Sequence, residues 1–164
     1  MFAAHFAAGL ALKGRAARVP LWSLLLGAFF LDLLWILFSA LRLDTTGVDD
    51  WSHSFVMSLG WASVFSLPFK QLGFAAMGAA WLAVFSHFVL DVLVQGAAFY
   101  PHAPARFQIA PSVTSSYRWI QVGLCVLLLA VYVRDTRRLA ISSRRTIATC
   151  LMVLALNGRF LLGY

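Results

Sequence analysis

Apolar residues in this chain come in long blocks separated by short polar links. One block, Pro20–Leu41 (PLWSLLLGAFFLDLLWILFSAL), holds a single charge, Asp32. Before it lies a shorter block, Phe2–Leu12 (FAAHFAAGLAL); after it come Trp51–Phe69 with His53 at its start, then about Leu72–Gln95, Trp119–Val133 and Thr146–Leu162. Most of these approach the roughly 20 helical residues that cross a hydrocarbon core about 30 Å thick. The pattern predicts an all-α, polytopic membrane helical bundle with about five transmembrane helices plus a short N-terminal helix. As a helix the first block is only about 16 Å long, and its Ala/Gly content suits close packing against neighbours. It lacks the basic start of a cleaved signal peptide. The links are a basic stretch (Lys13, Arg15, Arg18), a polar loop Arg42–Asp50, a tight turn at Pro68 and Lys70, a longer loop with Pro101, Pro104 and Pro111, and a strongly basic stretch before the last block. With no internal repeat or low-complexity tract, residues 1–164 read as one membrane-embedded helical domain.

Composition agrees with this class, since 62% hydrophobic residues, 12% charged residues and a mean hydropathy of +0.83 describe lipid as the solvent. The net charge of +7 does not point to nucleic acid, because the basic residues cluster between apolar blocks, where orientation signals sit. Alternating the links gives one face with Lys13, Arg15, Arg18, Lys70, Arg134, Arg137, Arg138, Arg144 and Arg145 and an opposite face with only Arg42, Arg106 and Arg118. The basic-rich face is expected to be cytoplasmic in an inner (plasma) membrane. Cys125 and Cys150 fall in apolar blocks and read as small core residues.

Candidate chemistry enters through the polar residues inside lipid. An ionised carboxylate such as Asp32 costs roughly 2.5–3.5 kcal/mol in mid-membrane unless something pairs with it. His5, His53 and His87 each lie in or beside an apolar block, and Asp91 follows His87 at i+4, so both project from one helix face. On the orientation above, His5, Asp32, His53, His87 and Asp91 fall at similar depth on the outward side. Taken singly, each has an ordinary role: a relay or buried hydrogen bond for Asp32, an interfacial or packed imidazole for His5 and His53. Together they read as one buried metal site. Imidazole and carboxylate suit zinc, with manganese or iron as alternatives. Two aspartates offset one divalent ion, and a second ion would leave the positive site that an anionic phosphate needs. A metal-activated water could then attack phosphorus.

The motifs AHFAAGLAL with His5, LDLL with Asp32, WSHSF with His53 and FSHFVLDVL with His87 and Asp91 resemble, in order and spacing over about residues 1–95, the YdjM-like, LexA-regulated membrane-bound metal-dependent hydrolases. That family is similar to the bacterial zinc-dependent phospholipases C and the single-strand-specific zinc nucleases. The resemblance implies that Asp32, His53, His87 and Asp91 bind one zinc and that His5, with a bridging Asp91, serves a second. The chain departs from the family pattern at Leu31, Leu34, Val48, Asp49, Asp50 and Ser52, and its helix of the His/Asp pair continues into Gln95, Gly96, Ala97 and Ala98. Ser52 takes the place of a threonine. All six acidic residues are aspartates, so the glutamate ligand of the soluble phospholipases has no counterpart.

The expected function is a metal-dependent hydrolase cleaving a phosphoester of a lipid or lipid-linked substrate that enters sideways from the outer leaflet. Asp49, Asp50 or Asp32 would supply a general base. Arg42, Arg106 and Arg118 would hold phosphate or anchor to headgroups, and His102 is either a loop residue or a proton donor to the leaving group. Two non-enzymatic readings use the same residues. A haem-binding bundle would take His53 and His87 as axial ligands, and a proton-coupled transporter would use Asp32 and Asp91 as its relay.

Overall fold

In a computed structural model of the protein, residues 2–42, 47–93, 96–107, 116–138 and 143–161 are described. They form helices α1 (Phe2–Lys13), α2 (Leu21–Ala40), α3 (Val48–His53), α4 (Phe55–Ser66), a 3₁₀ helix (Leu67–Leu72), α5 (Phe74–Val92), a short antiparallel pair β1 (Ala97–Ala98) and β2 (Arg106–Phe107), then α6 (Ser116–Arg138) and α7 (Ser143–Leu161). Among the described residues the architecture is all-α apart from that hairpin.

Three of the helices are long and apolar enough to cross a membrane: Leu21–Ala40, Phe74–Val92 and Trp119–Arg137. They expose large apolar side chains that water would penalise, among them Trp22, Ile36 and Leu37 on α2, Leu82 on α5 and Leu127 on α6. Five such helices were expected, and two expected spans fall short for different reasons. Trp51–Phe69 is not one helix: Ser54 is extended (φ −69°, ψ 157°), ending α3 and opening α4, and the last turns tighten to 3₁₀ ahead of Gly73, whose φ of +101° suits glycine. The helix α7 equals α5 in length, 19 residues each, but its side chains from residue 156 onward lie outside the described residues.

The short α1 lies at the centre of the bundle, packed against α2, α5, α6 and α7. Its small side chains explain how four neighbours fit. Ala3, Ala4, Ala7, Ala8 and Ala11 are all buried beside Leu10, and a Cβ at Gly9 would come 2.9 Å from the Leu24 carbonyl oxygen of α2. Only glycine permits that approach. A similar contact joins α2 to α5, where a Cβ at Gly27 would meet the Ala83 and Phe65 side chains at 3.0 Å. At the far end of α1, Lys13 donates through Nζ to the carbonyls of Ala17 and Val19, closing the link into α2.

The proline-bearing loop after α5 holds a structure that the sequence pattern did not announce. Ala97 pairs with Phe107 and Ala98 with Arg106, and the Val56 N–H donates to the Phe99 carbonyl at 3.1 Å. The break at Ser54 thus leaves a helix-start N–H that ties the hairpin to α4.

Candidate metal centre

Each of the five polar residues comes from a different turn of the bundle, and their ligand atoms converge. His87, 1% exposed, sits late on α5 and bonds through Nδ1 to the Ala28 carbonyl of α2 at 2.8 Å. A carbonyl only accepts, so Nδ1 carries the proton and Nε2 presents a lone pair. His53, the last residue of α3, bonds through Nδ1 to Ser52 Oγ at 2.7 Å, while Ser52 Oγ donates to the Asp49 carbonyl. With the hydroxyl proton on that carbonyl, His53 Nδ1–H is the donor and its Nε2 is again a lone pair. The two Nε2 atoms face one another at 3.3 Å. With both rings neutral neither has a proton to offer the other, and a cation could sit between the two lone pairs.

Carboxylates frame the gap. Asp32 Oδ1 lies 3.4 Å from His53 Nε2 and 3.6 Å from His87 Nε2; Asp91 Oδ2 lies 3.3 Å from His87 Nε2 and 3.9 Å from His53 Nε2. A tetrahedron with metal–ligand bonds of about 2.0–2.1 Å has edges of about 3.3–3.4 Å. Five separations among these four ligand atoms therefore lie at or slightly above the spacing of a four-coordinate site.

The other oxygen of Asp91 turns to His5, with Oδ1 3.4 Å from Nε2. His5 is 3% exposed and stacks on His87 with ring centroids 3.8 Å apart and planes 10° from parallel. Its Nδ1 is buried without a hydrogen-bond partner and its Nε2 has only the long contact to Asp91; an unsatisfied buried group costs about 1–3 kcal/mol. An ion bound there would relieve it. Two groups, His5/His87/Asp91 and Asp32/His53/His87, each bring three ligand atoms within 4.8 Å of one another and could hold a metal ion.

A chamber of about 430 Å³ opens onto this cluster, lined by Asp32, His53 and Asp91 and, around them, by Trp35, Asp49, Asp50 and Arg106. The structure sorts the remaining candidates. Asp50 is buried and fully engaged: Oδ1 pairs with Arg106 Nη2 at 2.7 Å and Oδ2 accepts the His102 N–H at 3.2 Å. It therefore anchors the hairpin loop to α3 rather than waiting as a free base. Asp49 is exposed on the chamber wall. Of the three arginines expected to hold phosphate, Arg106 lines the chamber, Arg42 is exposed in the turn after α2 and is not part of the lining, and the Arg118 side chain lies outside the described residues. His102 is exposed, with φ of +62° and its ring edge-on to Trp51.

Sequence reasoning missed two supports of the imidazoles. The Ala28 carbonyl carries no signal in sequence at all. Ser52 stood beside His53, and a hydroxyl next to a ligand histidine is the one sign that would have found it. No protein-family model, curated protein or solved structure matches this chain.

Proposed function

We propose that this chain is a membrane-embedded, metal-dependent hydrolase of the phosphoesterase type, acting on a lipid or lipid-linked phosphoester. The observation that carries the reading is the pair of histidine lone pairs facing across 3.3 Å, each turned inward by a hydrogen bond on its far nitrogen and flanked by two aspartates. A redox or purely structural role asks for less. A haem would need room for its macrocycle between the two imidazoles, and Asp32 and Asp91 occupy that neighbourhood instead.

Zinc is the metal proposed, on the near-tetrahedral spacing and the all-nitrogen-and-oxygen donor set. Asp32, His53, His87 and Asp91 would hold one ion; His5 and the second oxygen of Asp91 would contribute to another. When bound, such an ion supplies Lewis acidity to a phosphoryl oxygen and makes water a stronger acid. The chain's own residues do the rest. Arg106, held at the chamber wall by Asp50, binds the phosphate and fixes its orientation. Asp49, exposed beside it, takes up the proton released from the attacking water.

The surrounding topology follows the charge pattern. The α4 helix with its 3₁₀ extension is about 30 Å long (12 residues at 1.5 Å, then six at 2.0 Å), so it serves as a crossing although α4 alone does not. With α2, α5, α6 and α7 this gives five crossings, an inner-membrane location with basic links in the cytoplasm, and the metal centre toward the outer face. The motif order shared with the YdjM-like hydrolases supports the same function. The test is metal content and hydrolysis of bis(p-nitrophenyl) phosphate by the full chain, purified in detergent without a polyhistidine tag. One to two equivalents of zinc and activity lost in a His87→Ala, Asp91→Ala variant support it; metal content unchanged by that variant overturns it.

A further inference from the structure

A second cavity of about 390 Å³ adjoins the same elements and has the opposite chemistry, its wall formed only by Phe55, Phe88, Val89, Val92, Phe99 and Phe107. Three of its six wall residues, Val92, Phe99 and Phe107, directly follow a residue of the metal chamber, and Phe55 lies two residues from another. On α5, Asp91 faces the chamber and Val92 the groove; in the hairpin, Ala98 and Arg106 line the chamber while Phe99 and Phe107 line the groove; on either side of Ser54, His53 belongs to one and Phe55 to the other. Successive residues of a strand point to opposite faces, so β2 presents a cation to one compartment and an aromatic ring to the next. The groove is stiffened by its own rings: Phe55 packs on Phe99 at 5.2 Å and Phe88 at 5.6 Å between centroids, and Phe88 on Phe107 at 6.0 Å. Phe99, Phe107 and Val89 nevertheless remain open at 52%, 38% and 44% exposure. A polar chamber, which the proposed metal would make anion-binding, and a preformed apolar groove one residue step away at Val92, Phe99 and Phe107 match a ligand with a phosphate at one end and hydrocarbon at the other.

We infer that the groove seats a hydrocarbon chain of the substrate, so that the phosphoester enters the chamber head-first while one alkyl chain lies against Phe55, Phe88, Phe99 and Phe107. This rests on the hydrolase reading for the head of the ligand and adds the chain that selects it. Hydrophobic burial of even a few methylenes strengthens binding by about tenfold or more.

The test compares dodecyl phosphate with methyl phosphate in equilibrium binding to the zinc-loaded full chain in detergent micelles. Three proteins are used: wild type, Val89→Trp, which fills the groove, and Val64→Trp, which adds the same bulk at an exposed α4 position lining neither cavity. Partition of the dodecyl ester into micelles is common to the three proteins in one detergent, so it cancels in the comparison of Val89→Trp and Val64→Trp with wild type, which is the comparison that decides. The expected result is dodecyl phosphate bound at least about tenfold more tightly than methyl phosphate, an advantage lost in Val89→Trp and kept in Val64→Trp. Equal affinity of the two esters, or an advantage untouched by Val89→Trp, overturns the groove assignment. Zinc content and methyl phosphate affinity report on the metal chamber separately. If both persist without a chain preference, the groove falls and the hydrolase reading stands. If they vanish while chain binding still depends on Val89, the groove stands and the hydrolase reading falls; a protein that binds neither ester overturns both.

Discussion

Asp91→Asn is the substitution that asks most of the site, because Asp91 alone reaches all three histidines. Its Oδ2 stands 3.3 Å from His87 and 3.9 Å from His53, and its Oδ1 3.4 Å from His5. Asparagine keeps the shape but removes the charge and replaces one oxygen by an N–H donor. Facing His5, that amide would donate to a buried Nε2 that now has only a 3.4 Å contact to the carboxylate, so the metal-free protein gains stability or holds level. Facing the metal, it removes a ligand and half of the carboxylate charge offsetting one ion. Even a support residue behind a ligand is worth about 10–100-fold in metal affinity, so loss of the ligand itself is expected to cost at least about 100-fold, or about 2.8 kcal/mol. The second ion should be lost altogether. The assay is zinc competition against a chromophoric chelator, with melting curves in detergent with and without zinc. Wild type should gain about 4 kcal/mol at a zinc concentration 1,000 times its dissociation constant, and Asp91→Asn should gain far less at that concentration. A variant that binds zinc like wild type, or a wild type whose melting zinc does not raise, refutes the reasoning.

Ser52→Ala leaves His53 free to turn or change tautomer, and zinc affinity should fall by about 10–100-fold in the same competition assay while the zinc-free melting point moves little. Arg106→Ala should weaken methyl phosphate binding measured by calorimetry; because that arginine is half exposed, its pair with Asp50 should contribute no more than about 1 kcal/mol to stability, read as a small shift in melting. Gly9→Ala places a methyl 2.9 Å from the Leu24 carbonyl, an overpacking expected to cost about 1–3 kcal/mol in thermal or denaturant unfolding, with zinc stoichiometry retained in the folded fraction.

What was legible in sequence was local and periodic. The i, i+4 spacing fixed His87 and Asp91 on one face of α5, and the Ala/Gly content of residues 2–12 announced a helix able to pack on several sides. Asp32 was legible through its cost, since lipid permits such a charge only with partners, and the structure brings His53 and His87 to it. The break at Ser54 was not legible because nothing local signals it: there is neither glycine nor proline, and the cap has no side-chain hydrogen bond. What sustains it is the distant Phe99 carbonyl that takes up the Val56 N–H. Asp50 read as a free base for the same reason. Its partner, Arg106, is 56 residues away across a hairpin whose strands are two residues each, too short to show alternation.

That hairpin and the break act as one device, and the candidate metal centre depends on it. A continuous helix over residues 51–69 would leave His53 no reason to lie beside α2. Instead α3 packs on α2 and on β1, with Asp50 holding Arg106 and the His102 backbone on one side and Ser52 steering the His53 ring on the other. The energetic logic then closes on charge. Asp91 is nearly buried and the three imidazoles around it contribute no positive charge when neutral, so the metal-free cluster carries an uncompensated carboxylate of the kind that is strongly destabilising inside a protein. Protonating both imidazoles would set N–H groups against each other across the 3.3 Å gap between His53 and His87, and protonating one would supply only a single positive charge for two carboxylates. A divalent cation would satisfy both carboxylates and both lone pairs at once.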